Sequence, residues 1–122
     1  SNFLEGRVSG TESDRLGYTV GGQTLVQAGA PKHQKVDGAI LVALRPEKMV
    51  ITEARPDTVN AVAGTISAFN YYGSTYHFQV ETQDLGNLIV TAPAWTGSIE
   101  PAIGTAIWLG WQPDASVVVR DR

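Results

Sequence analysis

The chain has 122 residues, a formal net charge of −3 and no cysteine. The lack of cysteine excludes disulfides, zinc-thiolate sites and thiol catalysis, and the acidic balance disfavours a nucleic-acid-binding module, which presents a basic face to phosphates. Hydrophobic residues make up 43% of the chain and charged residues 17%, which is typical of a packed domain and not of a disordered tail.

Short segments of alternating or β-branched residues follow one another along the whole chain, with turn residues between them. In chain order these segments are 3–10, 15–20, 23–27, 38–45, 48–53, 61–73, 74–82, 87–92, 105–111 and 115–121. The long apolar run at 38–45 suits a strand that is buried on both faces. About ten short strands without a convincing helical period predict an all-β barrel or sandwich.

An internal repeat organises these strands. The segment EGRVSG at 5–10 resembles AGTISA at 63–68, and the segment 38–53 resembles 104–121. Each longer segment contains a glycine, an apolar strand, a turn of proline and an acidic residue, and a final β-branched strand. We therefore predict a single OB-like region of two intertwined five-strand units, with pseudo-repeat halves at about 1–55 and 60–122 and a linker at 54–62.

The triplet Gly21-Gly22-Gln23 could belong to the signature loop with which ABC transporters clamp ATP phosphates. In a phosphate clamp the glycines would open a helix whose N-terminus faces the anion, but the residues that follow this triplet are β-branched and end at a proline. We interpret Gly21-Gly22 as the two-residue turn of a hairpin, where glycine supplies the positive φ that primed turns need.

Sequence motifs of catalysis and metal binding are missing. The chain has no P-loop, no Gly-x-Ser-x-Gly and no His-Glu-x-x-His. Its two histidines, His33 and His77, lie far apart on a predicted loop and a predicted strand, and its carboxylates form no defined pair. We predict no catalytic, cofactor-binding or metal-binding residues.

Aromatic residues cluster between Ala68 and Phe78. They could form a stacking platform for bases or sugars, but the acidic charge favours the alternative that they stabilise cross-strand pairs. Near the end of the chain, we expect one of Trp108 and Trp111 to pack in the core and the other to lie at an edge or interface.

The segment Leu44–Lys48 is the sharpest short motif. Pro46 fixes φ after a buried strand and Glu47 can begin a tight turn. Arg45 ends the strand with a planar donor fork, which suits a carboxylate or a carbonyl within the fold or across an interface.

These segments, in this order, resemble the transport-associated OB (TOBE) domain at the C-terminus of bacterial ABC-importer ATPases, most closely of the spermidine/putrescine and ferric-iron type. The resemblance covers essentially the whole chain. Its most telling parts are LRPE at 44–47 and YYGSTYHFQV at 71–80, which looks like the family's Tyr-x-Gly-x-x-x-x-Tyr/Phe pattern. The interface or structural positions that the resemblance implies are Arg45, Pro46, Glu47, Tyr72, Gly73 and Trp111.

The resemblance implies a non-catalytic regulatory and dimerisation domain of an ATP-binding subunit that energises import of a polyamine-like or iron-like solute. ATP and Mg²⁺ would belong to an N-terminal ATPase domain outside this chain, so no cofactor is expected here. The implied partners are a second copy of the subunit, its own ATPase domain and, indirectly, the membrane permease subunits, with no nucleic acid. The implied location is the cytoplasmic face of the bacterial inner membrane.

Two binding hypotheses stand beside this one. Small barrels of molybdate-handling proteins hold oxyanions with backbone N–H groups and polar side chains, and Ser74, Thr75, Thr65 and Ser67 could do so here. An oligonucleotide-binding OB module would use the aromatic cluster, but the acidic charge disfavours it.

Overall fold

The computed structural model of the chain describes residues 1–29, 35–94 and 100–121. Its ten strands are β1 (Asn2–Glu12), β2 (Arg15–Val20), β3 (Gln23–Ala28), β4 (Ala39–Leu44), β5 (Val50–Thr52), β6 (Asn60–Tyr71), β7 (Thr75–Glu81), β8 (Asn87–Pro93), β9 (Ala106–Trp111) and β10 (Ser116–Asp121). Two 3₁₀ turns, the Pro46 turn (Pro46–Lys48) and the Pro113 turn (Pro113–Ala115), precede β5 and β10. The predicted all-β class with about ten short strands is confirmed.

The strands form two antiparallel sheets that exchange their fifth strands. The first sheet has the order β10-β4-β1-β2-β3 and the second has the order β5-β9-β6-β7-β8. Each sheet therefore contains four consecutive strands from one half of the chain and the last strand of the other half. The prediction of two intertwined five-strand units is confirmed, and matching β1–β5 with β6–β10 superimposes the two strand orders.

Alternation of apolar side chains decides which face of each strand points inward. In β4, Ile40, Val42 and Leu44 are fully buried, whereas the residues between them are only half-buried. The expectation that this strand is buried on both faces is therefore wrong, because its outer face lies at the surface of the first sheet. The observed connection between the two halves is shorter than the linker predicted at 54–62, since residues 60–62 already belong to β6.

Each sheet curls until its two edge strands meet, as in a small barrel. In the first sheet β3 contacts β10, where the Ser116 hydroxyl donates a hydrogen bond to the buried Gln27 Oε1 at 3.2 Å. In the second sheet β5 contacts β8. Bulges after Val8 in β1 and after Ile66 in β6 bend both sheets at equivalent places.

The inward faces of both sheets pack into one connected core. Its largest fully buried side chains come from strands of both halves, so neither barrel has a separate core. These side chains are Trp111, Tyr18, Leu4, Leu16, Leu25, Ile40, Leu44, Ile66, Leu88, Ile107, Leu109 and Val8.

The Gly-Gly-Gln triplet is a hairpin turn, as predicted. Val20 pairs with Gln23 across the two glycines. Gly21 has a φ of +56° and Gly22 does not share this conformation, which is the pattern of a type II′ turn. The turn rests on Asp84 in the loop between β7 and β8, since Gln23 Nε2 donates to Asp84 Oδ2 at 3.1 Å.

We expect Gly21→Ala to lower the free energy of unfolding by about 1–3 kcal/mol, as measured by urea denaturation. Alanine is strained at this positive φ, and its Cβ would lie 2.8 Å from Asp84 Oδ1. Gly104→Ala is the matched control, because Gly104 also has a positive φ but its Cβ would meet nothing within 4 Å. Asp84→Gly in the Gly21→Ala background removes the Asp84 Cβ as well as its carboxylate, so it should recover the steric part, and equal losses at both glycines would contradict the Asp84 contact.

Candidate functional site

Two buried asparagines join the sheets at the points where β1 and β6 begin. Asn2 Nδ2 donates to the Ile89 carbonyl at 2.8 Å, and the Ile89 N–H donates to Asn2 Oδ1 at 2.7 Å. Asn60 Nδ2 donates to the Val26 carbonyl at 2.8 Å, and the Val26 N–H donates to Asn60 Oδ1 at 2.8 Å. We call these two arrangements the asparagine clamps.

Each clamp closes the edge of a strand from the other half of the chain. A side-chain amide carries a donor and an acceptor side by side. The amides of Asn2 and Asn60 therefore pair one N–H and one carbonyl on β8 and on β3, as a neighbouring strand would. Unpaired strand edges are open to association with other chains. Neither asparagine was predicted as a functional residue, although an Asn precedes each copy of the repeat in NFLEGRVSG (2–10) and NAVAGTISA (60–68).

The Arg-Pro-Glu segment lies at the same junction. The Arg45 N–H donates to the Ala115 carbonyl at 3.1 Å, which ties the Pro46 turn to the Pro113 turn. The Lys48 N–H donates to the Arg45 carbonyl at 3.1 Å and closes the turn after Pro46. The side chains of Arg45 and Glu47 are exposed. The backbone of this segment therefore stabilises the fold through these hydrogen bonds. A role of its charged side chains at an interface stays a prediction.

One of the two tryptophans of β9 packs in the core, as predicted, whereas the other lies on the outer face of an inner strand and not at a sheet edge. Trp111 is 1% exposed and packs in the core opposite Asn60. Its indole Nε1–H has no hydrogen-bond partner among the described residues. Trp108 is half-buried on the outer face, where the Arg55 guanidinium lies 4.9 Å from its ring centre in a cation–π contact.

Tyr72 and Gly73 form the turn between β6 and β7, away from the junction. Gly73 has a φ of +84°, and the exposed Tyr72 ring lies 4.5 Å from the His77 ring. Because β6 has 12 residues and begins at the junction, this turn lies roughly 35 Å along the strand from Asn60. The structure therefore separates the Tyr72-Gly73 turn from the Pro46 turn.

The aromatic cluster is a cross-strand ladder. Phe69 pairs with Phe78 and Tyr71 pairs with Tyr76 across β6 and β7, and their ring centres are 6.2 Å and 5.1 Å apart. All four rings lie on the face that leads into the core, where Phe78 is buried. The arrangement supports the expectation that these rings stabilise the hairpin.

The four hydroxyl residues suggested for an oxyanion do not converge. The Ser67 hydroxyl donates to the Gln79 carbonyl at 3.2 Å. Ser74 and Thr75 lie at the turn between β6 and β7, whereas Thr65 lies six residues before the end of β6, or roughly 20 Å away along the strand. These residues do not build a single anion site within one subunit.

An open groove of about 720 Å³ runs beside the hairpin of β1 and β2. Its lining includes Ser9, Thr11, Glu12, Asp14 and Arg15. These side chains are exposed, hydrophilic and of both charges, so the groove lacks the apolar walls of most small-molecule pockets.

In the described ranges, no three His, Asp or Glu side chains are placed so that they could hold a metal ion. His77 is exposed on β7, and His33 lies outside the described residues. No helix in the described part of the chain has the length and apolar character needed to cross a lipid bilayer.

Tyr18 is a buried titratable group inside the first sheet. Its hydroxyl makes no hydrogen bond of normal geometry with the described residues, although the Ser116 hydroxyl, which donates to Gln27 Oε1, lies nearby. Burial raises the pKa of the Tyr18 hydroxyl well above its usual value, and the proximity of Ser116 offsets only part of this shift. Tyr18 therefore stays neutral while the protein is folded.

Because the pKa of Tyr18 is raised on folding, the stability that depends on its protonated form is complete below the unfolded pKa of about 10 and is lost as the pH rises above it. We expect Tyr18→Phe to reduce this alkaline loss by about 1.4 kcal/mol per pH unit at most. At pH 7 the variant should be as stable as the parent, because it removes an unpaired buried hydroxyl. Urea unfolding between pH 7 and pH 11 tests this. Tyr72→Phe is the exposed control, and an unchanged alkaline slope in Tyr18→Phe would contradict the prediction.

Comparison with known proteins identifies the family. The family model described as the TOBE domain matches residues 42–119. The spermidine/putrescine import ATP-binding protein PotA of Thermobifida fusca is 30% identical over 121 residues, which are 98% of this chain and 31% of that protein. PotA of Rubrobacter xylanophilus is 32% identical over 91 residues, which are 73% of this chain and 23% of that protein. The chain thus spans less than a third of the length of these relatives.

A solved structure supports the same architecture. The crystal structure of the cytoplasmic molybdate-binding protein ModG, with molybdate bound, matches with a TM-score of 0.85 over 96% of this chain and 94% of that chain. At 10% sequence identity, this match shows the fold alone. Because the TOBE model spans most of the chain, from β4 to β10, the chain belongs to the TOBE domain family.

Proposed function

We propose that the chain is the C-terminal regulatory and dimerisation domain of an ATP-binding subunit of an ABC importer. The observation that carries this proposal is the alignment with PotA over 98% of the chain. The solute is of the polyamine-like or iron-like class. The domain itself is not catalytic, and ATP and Mg²⁺ bind to the ATPase domain of the parent protein.

The architecture suits a domain that transmits rigid-body movements between subunits and does not catalyse a reaction. The two barrels share one core and exchange strands, so they move as one body. The partners are the parent's own ATPase domain, a second copy of the subunit and, through them, the permease, at the cytoplasmic face of the inner membrane. The exposed Arg45 and Glu47 offer charged groups to such a partner beside a backbone that is fixed by the Pro46 turn.

Two measurements test the proposal. The gene upstream of the Ser1 codon should encode, in frame, a large domain of about 230 residues with a P-loop. Calorimetric titration of ATP into the 122-residue chain should show no binding, because the phosphate-binding residues lie in that domain. A nanomolar ATP affinity of the chain, or an upstream sequence without a P-loop, would contradict the proposal.

A stand-alone binding module is the second candidate, and the ModG architecture favours it. A thermal-shift panel of molybdate, sulfate, phosphate and spermidine tests this function, since a ligand that binds the folded state raises the melting temperature by mass action. We expect a flat panel, because the candidate hydroxyl residues do not converge within one subunit. A clear shift with one oxyanion would favour the binding module over the importer domain.

A further inference from the structure

The outer faces of the two sheets differ in how far other residues of the chain cover them. In the second sheet, Val50, Gly110 and Ala61 form a row across β5, β9 and β6. The segment 53–59 connects β5 to β6 on this face. Gly110 and Ala61 are buried there, whereas Val50 at the other end of the row is 46% exposed. A Cβ on Gly110 would lie 2.6 Å from Pro56 Cγ, so the segment packs directly against the strand.

The covering segment is also held by side chains of β9 and of the residue that follows it. The Arg55 guanidinium lies over Trp108, and the Val59 N–H donates to Gln112 Oε1 at 3.3 Å. The segment 53–59 is therefore a bent strap, fixed to the outer face before it enters β6.

The equivalent row of the first sheet differs most at the position of Ala61, which is 8% exposed, because that position holds an exposed phenylalanine. It consists of Val117, Ala43 and Phe3, which lie side by side across β10, β4 and β1. Phe3 is 60% exposed, Val117 is 50% exposed and the neighbouring Val119 is 49% exposed. We call these four side chains the outer strip. Contiguous exposed apolar side chains of this kind mark interaction sites on soluble proteins.

We propose that the outer strip binds a segment of the parent polypeptide, namely the segment that leads into β1. In the strand order that both sheets share, 53–59 leads into β6 at Asn60 just as the polypeptide before Ser1 would lead into β1 at Asn2. This inference rests on the proposed function in one respect, which is that the chain is part of a longer protein like its PotA relatives.

The side chains of the outer strip determine which residue types the bound segment needs. Ala43 has a Cβ where Gly110 has none, so a proline cannot pack as deeply as Pro56 does. Phe3 offers a ring where the second sheet has only Ala61. The occupant therefore places an aliphatic or aromatic side chain against Phe3. Four side chains fall well short of the roughly 800 Å² per partner that a stable dimer interface needs, which favours a short segment over a second copy.

Because the chain has no cysteine, the reactivity of a single introduced thiol measures directly how accessible the outer strip is to solvent. Ala43→Cys and Phe3→Cys, at the positions equivalent to the buried Gly110 and Ala61, would each be made in two forms, the 122-residue chain and the same chain extended by the residues that the parent gene encodes directly before Ser1. About ten residues are enough to cross the strip at 3.3 Å per residue. The measurement is the rate of thiol labelling by Ellman's reagent, and Thr24→Cys, exposed on β3, is the control.

We expect the extension to slow labelling at both strip positions about tenfold or more, because the thiol then reacts only when the segment opens locally. Labelling at the control position should not change. Equal rates in both forms would overturn the inference, and so would a rate in the 122-residue chain that falls as its concentration rises, since a second copy would then cover the strip. A P-loop upstream together with equal rates would leave the proposed function intact and remove this inference alone.

Discussion

We expect Asn60→Ala to lower the free energy of unfolding by about 2–3 kcal/mol, because two hydrogen bonds are lost and their partners on β3 stay in place. The Val26 N–H and carbonyl, which the amide now pairs at 2.8 Å each, would have no replacement from a neighbouring strand. Asn2→Ala should act in the same way through Ile89. Because the two clamps share no partner, the losses should add in the double variant.

Urea denaturation followed by tryptophan fluorescence measures these losses. Asn70→Ala is the matched control, since Asn70 lies on the same strand but is exposed. Asn60→Asp keeps the acceptor and loses the donor, so it separates the two hydrogen bonds and should also destabilise. If Asn60→Ala were as harmless as Asn70→Ala, the clamps would not hold the sheets together.

The second large effect is expected at a glycine of β6. Gly64→Ala should lower the free energy of unfolding by about 1–3 kcal/mol, because the new Cβ would force the packed strands apart. That Cβ would lie 2.9 Å from the Glu81 carbonyl oxygen, and a backbone atom cannot move away as a flexible side chain can. Gly6 occupies the equivalent place on β1, where a Cβ would lie 2.6 Å from the Thr19 carbonyl oxygen.

Gly10→Ala provides the contrast within the same kind of strand. A Cβ on Gly10 meets nothing within 4 Å, so alanine should raise the free energy of unfolding by about 0.4–1 kcal/mol through the lower entropy of the unfolded chain. Opposite signs for Gly64→Ala and Gly10→Ala in urea unfolding are the expected result. Equal signs would show that backbone preference, and not the close approach of strands, decides the cost.

Much of the fold could be predicted from local patterns. Period-two alternation placed the strands, and Gly21-Gly22 marked a hairpin turn, because both signals depend on residues that are neighbours in the chain. The repeat of the sequence indicated two intertwined units. The partner of each fifth strand could not be predicted in the same way, because β10 pairs with β4 across most of the chain.

The candidate site was less accessible to sequence reasoning. Family resemblance selected residues at the Pro46 turn and at the Tyr72-Gly73 turn, which the length of β6 keeps apart. Asn2 and Asn60 were overlooked because an asparagine at the start of a strand is unremarkable in one copy of the repeat. Its meaning appears only when both copies are aligned and the edge strands they close are known.

The exchange of the fifth strands has a consequence for biosynthesis. A ribosome releases the chain from its N-terminus, at about 5–20 residues per second in general. The first sheet needs β10, whose residues Ser116–Asp121 emerge after those of the other nine described strands, so β1–β4 form an incomplete sheet until β10 has been synthesised. Co-translational folding of this domain is therefore a late event, and the exposed edge of β4 is the surface that chaperones would have to shield until β10 arrives.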